Sequence, residues 1–146
     1  MAGEWQRFST LQPPFSIDFP SDWTLHQDGD AFELEAPVDD LAVTLNRFSS
    51  PDGDISPASI QVVLDAFAEK RVVRAAPGWF SAEEWNGVEA EFGPSPTEEK
   101  GSHWLFRAVC RGNRAYVMTA TGPREDVERG RHVCMQIMNS LKLREE

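Results

Sequence analysis

Apolar residues in the first third of the chain recur at every second position. Phe15, Ile17 and Phe19 alternate with Ser16 and Asp18 and stop at Pro20, while Phe32, Leu34 and Ala36 alternate with Glu33 and Glu35 and stop at Pro37. After Asp39-Asp40, Leu41, Val43 and Leu45 stand opposite Ala42, Thr44 and Asn46. A period of two places all the apolar side chains of a segment on one side of a strand, so these segments must build a sheet with a buried face. The short polar turns between them predict an antiparallel meander.

The period then changes. Ser56 offers a helix N-cap, Pro57 suits the first helical position, and Ile60, Val63, Leu64, Phe67 and Ala68 recur at helical spacing. The pattern predicts a helix ending near Val73 to Ala76, before Pro77-Gly78, with its apolar stripe laid on the sheet. Two strand pairs follow. The first runs from Trp79 to Trp85 and from Val88 to Phe92, with Asn86-Gly87 as the expected hairpin turn. In the second, Trp104, Phe106, Ala108 and Cys110 alternate with Leu105, Arg107, Val109 and Arg111, and Gly112-Asn113 turns the chain into Ala115 to Thr121. Apolar residues on both faces of this pair predict central strands. Between the pairs, Gly93 to Ser102 reads as a mobile loop of Pro, Ser, Thr, Glu and Gly. A closing helix begins after Gly122-Pro123, with Glu125 and Asp126 in its first turn and Lys142 and Arg144 near its end. Its expected buried face is Val127, Gly130, Cys134, Ile137, Met138 and Leu141.

The expected order is therefore β-β-β-α-β-β-β-β-α. It predicts an α+β sandwich in which two main helices flank an antiparallel sheet of about six to seven strands. At 146 residues the chain has the length of a single domain spanning 1–146. No apolar run approaches the roughly 18 residues of a spanning helix. Met1 to Thr10 lacks the apolar stretch of a signal peptide, so a cytoplasmic location is expected. Cys110 and Cys134, both set in apolar patterns, read as reduced buried thiols, with a single bridge between them as the alternative. A net charge of -10 argues against a phosphate-binding surface and hence against nucleic acid as a partner. Much of the acid lies between Glu83 and Glu99, whereas Arg124, Arg129, Arg131, Lys142 and Arg144 gather near the C-terminus. The pattern reads as ordinary solubilising charge, with an electrostatically lopsided molecule as the alternative.

The strand Phe15-Ser16-Ile17-Asp18-Phe19 runs into Pro20-Ser21-Asp22-Trp23, and the chain closes on Met138-Asn139-Ser140-Leu141-Lys142. With a mid-chain helix and a hairpin-rich second half between them, nearly the whole sequence resembles the PsbP-like superfamily. That group includes an extrinsic subunit of photosystem II, a Ran-binding nuclear import factor and bacterial DcrB-like proteins, some of which look like adaptors or chaperones for secreted effectors. The resemblance implies an antiparallel sheet with helices on its faces and a tendency toward non-enzymatic binding. It carries over no site residue, and no Ran-contact motif is matched.

The residues themselves give few chemical leads. His26, His103 and His132 have no metal-ligand spacing; His103 with Glu98 and Glu99 is the one cluster that proximity suggests. Asp-Gly-Asp at 28–30 and at 52–54 has the oxygens calcium needs, but tight turns demand the same residues and neither stretch continues into an EF-hand loop. No nucleophile elbow, Ser-x-x-Lys pair or phosphate-cradling loop is present. His132 and Cys134 are two apart on a helix, so they point about 200° apart and form no pair. Five tryptophans and nine phenylalanines remain, of which Trp104 and Trp23 fit buried positions.

The first functional reading is thus a cytoplasmic, non-catalytic protein-interaction module of adaptor or chaperone type. Its expected contact residues are Trp79, Phe80 and Trp85, rimmed by Glu83, Glu84, Glu89 and Glu91, which would select a basic or polar-flanked partner. No catalytic residue, cofactor, metal site or membrane insertion is expected, and the chain would be a monomer or homodimer. The alternative is a small-ligand or metal-binding domain, enzymatic or not, with a pocket between helices and sheet that uses His103 and nearby carboxylates. A third reading is a structural protein with no dedicated site.

Overall fold

The computed structural model describes residues 4–11, 14–29, 31–50, 53–69, 71–81, 85–93 and 102–143. Five strands come first: β1 (Trp5–Leu11), β2 (Pro14–Pro20), β3 (Thr24–Asp28), β4 (Ala31–Glu35) and β5 (Ala42–Ser49). Helix α1 (Pro57–Ala68) leads into β6 (Val72–Ser81), β7 (Asn86–Gly93), β8 (His103–Arg111) and β9 (Arg114–Gly122). Helix α2 (Arg124–Asn139) and the short β10 (Lys142–Leu143) complete the order.

Seven strands form one antiparallel sheet in the order β3-β4-β5-β9-β8-β7-β6, and three form a second in the order β1-β2-β10. The α+β sandwich with two helices expected from the sequence is the fold observed. Strands β8 and β9 lie at its centre and are buried on both faces, as their two-sided apolar pattern requires. On one face Leu105, Val109, Tyr116, Met118 and Ala120 pack against α2 and the small sheet. On the other, Phe106, Ala108, Cys110, Ala115 and Val117 join Ile60 and Leu64 of α1 in a second core. The two cysteines are free thiols on opposite sides of the large sheet, so the alternative of a bridge between them falls.

Four expectations are corrected. The segment Phe15 to Phe19 does not extend the meander of β4 and β5; it leaves the large sheet and pairs with β1 and with β10, at Ser16↔Lys142 and Phe15↔Leu143. Phe15, fully buried, stacks edge-on against Phe32 and Tyr116 at 5.5 Å, so period two is satisfied by burial against another sheet. The mid-chain helix ends at Ala68, and Val72 onward is strand β6, antiparallel to β7. Here the β-branched Val72 and Val73 pair with Gly93 and Phe92, and ladder bonds outweigh continuation of the helix. Lys142 lies in β10 and not in the closing helix, which stops when Ser140 caps it.

The fourth correction concerns Asn86-Gly87, which is not a turn but the start of β7, paired with Ser81 and Phe80. Gly87 is there for space: a Cβ would stand 2.5 Å from the Phe80 ring and 2.7 Å from the Ala108 carbonyl oxygen. Gly112, at φ +59°, does provide the expected turn between β8 and β9.

Helix α2 is fixed to the sheets by polar as well as apolar contacts. Val127, Gly130, Cys134, Ile137 and Met138 are buried along its length, and Leu141 just beyond it, as the periodicity predicts. At its end the Asp18 backbone N–H donates to Ser140 Oγ at 2.7 Å, and the Ser140 hydroxyl donates to the Ile137 carbonyl at 2.6 Å. At its start Asp126 accepts from the Asp40 backbone N–H at 2.8 Å. The chain from Asp40 to Leu41 also passes so close to β9 that a Cβ on Gly122 would overlap the Asp40 carbonyl oxygen. Gly122→Ala is therefore expected to destabilise the protein by roughly 1–3 kcal/mol, while Gly78→Ala, with nothing within 4 Å of its added methyl, should stay within about 0.5 kcal/mol of wild type. Urea unfolding of the two variants checks the pair, and equal stabilities would show that Gly122 is not a close-approach position.

Candidate functional site

Strand β7 alternates Val88, Ala90 and Phe92 with Glu89 and Glu91, so once the apolar set lies under α1 both carboxylates must face α2. Helix α2 answers with Arg131. Its guanidinium holds Glu91 through both oxygens, at 2.6 Å to Oε1 and 3.1 Å to Oε2. His103, at the start of β8 and 4% exposed, places Nε2 2.6 Å from the same Oε1. Hydrogen bonds from Arg131 above all, and then from His103, outweigh burial and bring the Glu91 carboxyl down to about 2. One turn earlier on α2, Glu128 stands 3.8 Å from Arg131.

A second polar group continues the seam. Arg107 Nη1 lies 2.5 Å from Glu89 Oε1 and 2.5 Å from Asn139 Oδ1, with its guanidinium 4.7 Å above the Phe80 ring. Burial pushes the Arg107 guanidinium down from its ordinary value. Acid and base that look segregated in the sequence are thus paired across the sheet–helix interface, as Glu89 with Arg107 and Glu91 with Arg131. The seam opens on two recesses. One, of about 990 Å³, is bounded by His103, Thr121, Gly122, Glu33 and Glu35, and the other, of about 280 Å³, by Arg107, Arg131, Met135 and Met138.

The aromatic residues singled out from the sequence are separated by the fold. Trp85 is 9% exposed and packs edge-on against Tyr116 at 6.0 Å, inside the core. Phe80 is half-buried beneath Arg107. Trp79 keeps 45% of its surface open and, with Pro57, Phe80, Ser81 and Asn86, lines a recess of about 210 Å³. It pairs with Val88, so it projects on the α1 side of the sheet, opposite to Glu89 and Glu91. Those two acids do not rim it. Glu83 and Glu84, together with Glu98 and Glu99, lie outside the described residues.

The remaining candidates fall apart in the same way. His26 is exposed and 3.7 Å from Glu35, and His132 is exposed on α2. Cys134 is buried, which pushes its thiol up to about 12. Of the Asp-Gly-Asp stretches, Gly29 at φ +61° makes the β3–β4 turn and Gly53 lies at φ +131°, while Asp30 and Asp52 are outside the described residues. The cluster that composition did not reveal is Glu91, His103 and Arg131. Its one visible signal is the alternation of Glu89 and Glu91 in β7, which forces both acids beneath a helix carrying arginine.

No known family profile matches the sequence, and no curated protein matches it. Comparison with solved structures shows that the chain has the PsbP-like fold. Cyanobacterial PsbP (CyanoP) from Synechocystis sp. PCC 6803 superposes with a TM-score of 0.71 at 11% identity, over 99% of this chain and 94% of that one. LpqN of Mycobacterium tuberculosis, a protein involved in cell envelope biogenesis, gives 0.62 at 11% identity over 98% of this chain and 93% of that one. A protein from Bacteroides thetaiotaomicron gives 0.70 at 17% identity; all of this chain aligns, spanning about half (50%) of that protein's length.

Because Glu91 titrates near 2 in the folded chain, against 4.5 ordinarily, its stabilising effect is complete above pH about 4.5 and is lost as pH falls toward 2. Wild type should exceed Glu91→Gln by about 1–2 kcal/mol at pH 7, solvent at the Arg131 side having been allowed for. The gap should close between pH 4.5 and 2. Denaturant midpoints at pH 7, 4 and 2.5 check this, and a pH-independent gap would show that the carboxylate charge is not what holds α2.

Proposed function

We propose that the chain is a non-catalytic protein-binding module whose contact surface is the α1-side face of β6, centred on Trp79. The observation that carries this reading is the 45% exposure of a tryptophan on an edge strand, beside Pro57 and in line with Val73, itself 47% exposed. A large aromatic left half in water at a sheet edge is what interface anchors use. The strand is unsuited to continuous β-addition, since Pro77 lacks an N–H and the register shifts twice along it. Recognition would therefore run through side chains of this face, and the partner would bring an apolar anchor to Trp79. The side chains with acid–base chemistry, His103 and Glu91, are engaged with each other and with Arg131, which supports a structural role for them.

Trp79→Ala should leave the melting temperature within about 2 °C and weaken binding of a captured partner by roughly 30-fold, while Val38→Ala, at a side chain 90% exposed elsewhere, should change neither. Quantitative affinity capture with all three proteins checks this; retention by Trp79→Ala equal to wild type would reject the surface. Trp85→Ala is no substitute, because it empties the core.

A second reading, a metal-binding domain, is favoured by one observation: ligand atoms of Glu91, His103 and Glu128 lie within 4.8 Å of one another. A cation could enter only by displacing Arg131 from Glu91. On this reading zinc chloride raises the melting temperature of wild type but not of His103→Ala. On the binding-module reading it raises neither.

A further inference from the structure

The large sheet is covered unequally. The face toward α2 and the small sheet is sealed across β4, β5, β9 and β8, whereas on the opposite face α1 is centred on β7 and β8. Across β3, β4, β5 and β9 that second face carries three cross-strand rows: Thr24, Glu35, Ala42 and Thr121; His26, Glu33, Thr44 and Thr119; and Asp28, Ala31, Asn46 and Val117. Among the described residues no helix or strand is packed over the β3–β5 part of these rows.

The composition of this face is unusual for one in contact with water. A solvated sheet face normally carries long charged side chains of both signs. Here the floor is Ala42, Thr44 and Asn46, with Thr121 at its margin, short side chains that leave it flat, and none of the three rows contains lysine or arginine. Its charge is acidic and concentrated: Glu33 and Glu35 are neighbours on one side of β4, and the Glu33 carboxyl, in hydrogen-bond contact with that of Glu35, is pushed above its usual range. Toward Gly122 the face runs into the cleft of about 990 Å³, where Thr121 Oγ1 is shut off from solvent without a hydrogen-bond partner. The arginines of this region, Arg74 and Arg124, line that cleft and not the rows.

We propose that this bare half-sheet docks a short basic segment of another protein, with a lysine or arginine side chain seated between Glu33 and Glu35. Charge and size select that occupant. Two adjoining carboxylates whose one basic neighbour in the three rows is His26, 3.7 Å from Glu35, are relieved further by an incoming lysine or arginine, and the net charge of -10 attracts basic segments from a distance. Three strands, β3 to β5, at about 4.8 Å spacing and five residues at about 3.3 Å rise give roughly 240 Å², the β9 ends of the rows at Val117 and Thr119 being buried. A stable interface between folded proteins takes about 800 Å² from each partner, so a segment fits where a second copy or a globular domain does not. The proposal shares with the previous reading only the idea of a binding module; it uses a different surface and does not depend on Trp79.

The test is fluorescence anisotropy with fluorescein-labelled (Lys-Ser)4 and (Glu-Ser)4 peptides on the full chain. Wild type should bind the lysine peptide and not the glutamate peptide. The double variant Glu33→Gln/Glu35→Gln, checked for unchanged circular dichroism, should bind at least about 10-fold more weakly. The double variant Asp54→Asn/Glu69→Gln removes the same charge elsewhere, and it and Trp79→Ala should each change the affinity less than about 2-fold. Absence of lysine-peptide binding, or equal weakening by the two charge variants, would overturn the proposal and leave the Trp79 surface standing. Loss of partner binding in Trp79→Ala with peptide binding intact would separate the two surfaces.

Discussion

Strands β8 and β9 are sealed from water on both faces, and the placement of every other element follows from that. Their hairpin contributes Phe106, Ala108 and Cys110 to one core and Leu105, Val109 and Met118 to the other. A two-sided core needs a cover on each side, which α1 and the pairing of α2 with the small sheet supply. Fully burying a side chain the size of Phe92 or Met118 is worth about 1.5–3 kcal/mol, so removing either cover would forfeit several such terms. This also explains why the β8–β9 turn is tied down elsewhere: the Ser50 and Ile55 N–H groups donate to the Asn113 and Gly112 carbonyls at 2.9 and 2.7 Å, anchoring the approach to α1.

Charge is distributed according to the same geometry. Strand β7 is apolar toward α1 and acidic toward α2, and α2 meets those acids with arginine. A carboxylate gripped by Arg131 of α2 and by His103 of β8 ties the helix to β7 and β8. Such a pair is poor evidence of net stabilisation against an apolar alternative, but breaking one partner is costly. The acid at Glu33 and Glu35 faces a part of the sheet with no cover among the described residues, where His26, 3.7 Å from Glu35, is the one basic neighbour in the three rows.

Much of this was legible residue by residue. The period-two segments at 15–19, 32–36 and 41–46, the cap at Ser56, the turn at Gly112-Asn113 and the buried stripe of α2 are all where the periodicities put them. Asn86-Gly87 misled because glycine answers two demands, positive φ and close approach, and the sequence does not say which. The break between α1 and β6 was missed because Val72 and Val73 suit a helix end and a strand alike until Phe92 and Gly93 are seen opposite them. For the site, the sequence pointed to aromatics as a group. Only packing separated an open Trp79 from a Trp85 wedged against Tyr116.

The sequence alone determined that the segments at 15–19, 32–36, 41–46, 104–111 and 115–121 are strands, that helices begin after Ser56 and Pro123, and which faces of these must be dry, because periodicity is a local property of the chain. It could not say what each dry face meets. Phe15, Ile17 and Phe19 could have buried themselves in the main sheet. They form a second one, paired along the strand with β1 and, at Ser16 and Phe15, with Lys142 and Leu143 from more than a hundred residues later. The opposition of Glu91 to Arg131 and the bareness of β3, β4 and β5 on one side are likewise decided by which elements arrive from afar to cover a surface. Contacts between distant segments depend on the whole chain at once, and that is why the tertiary structure had to settle them.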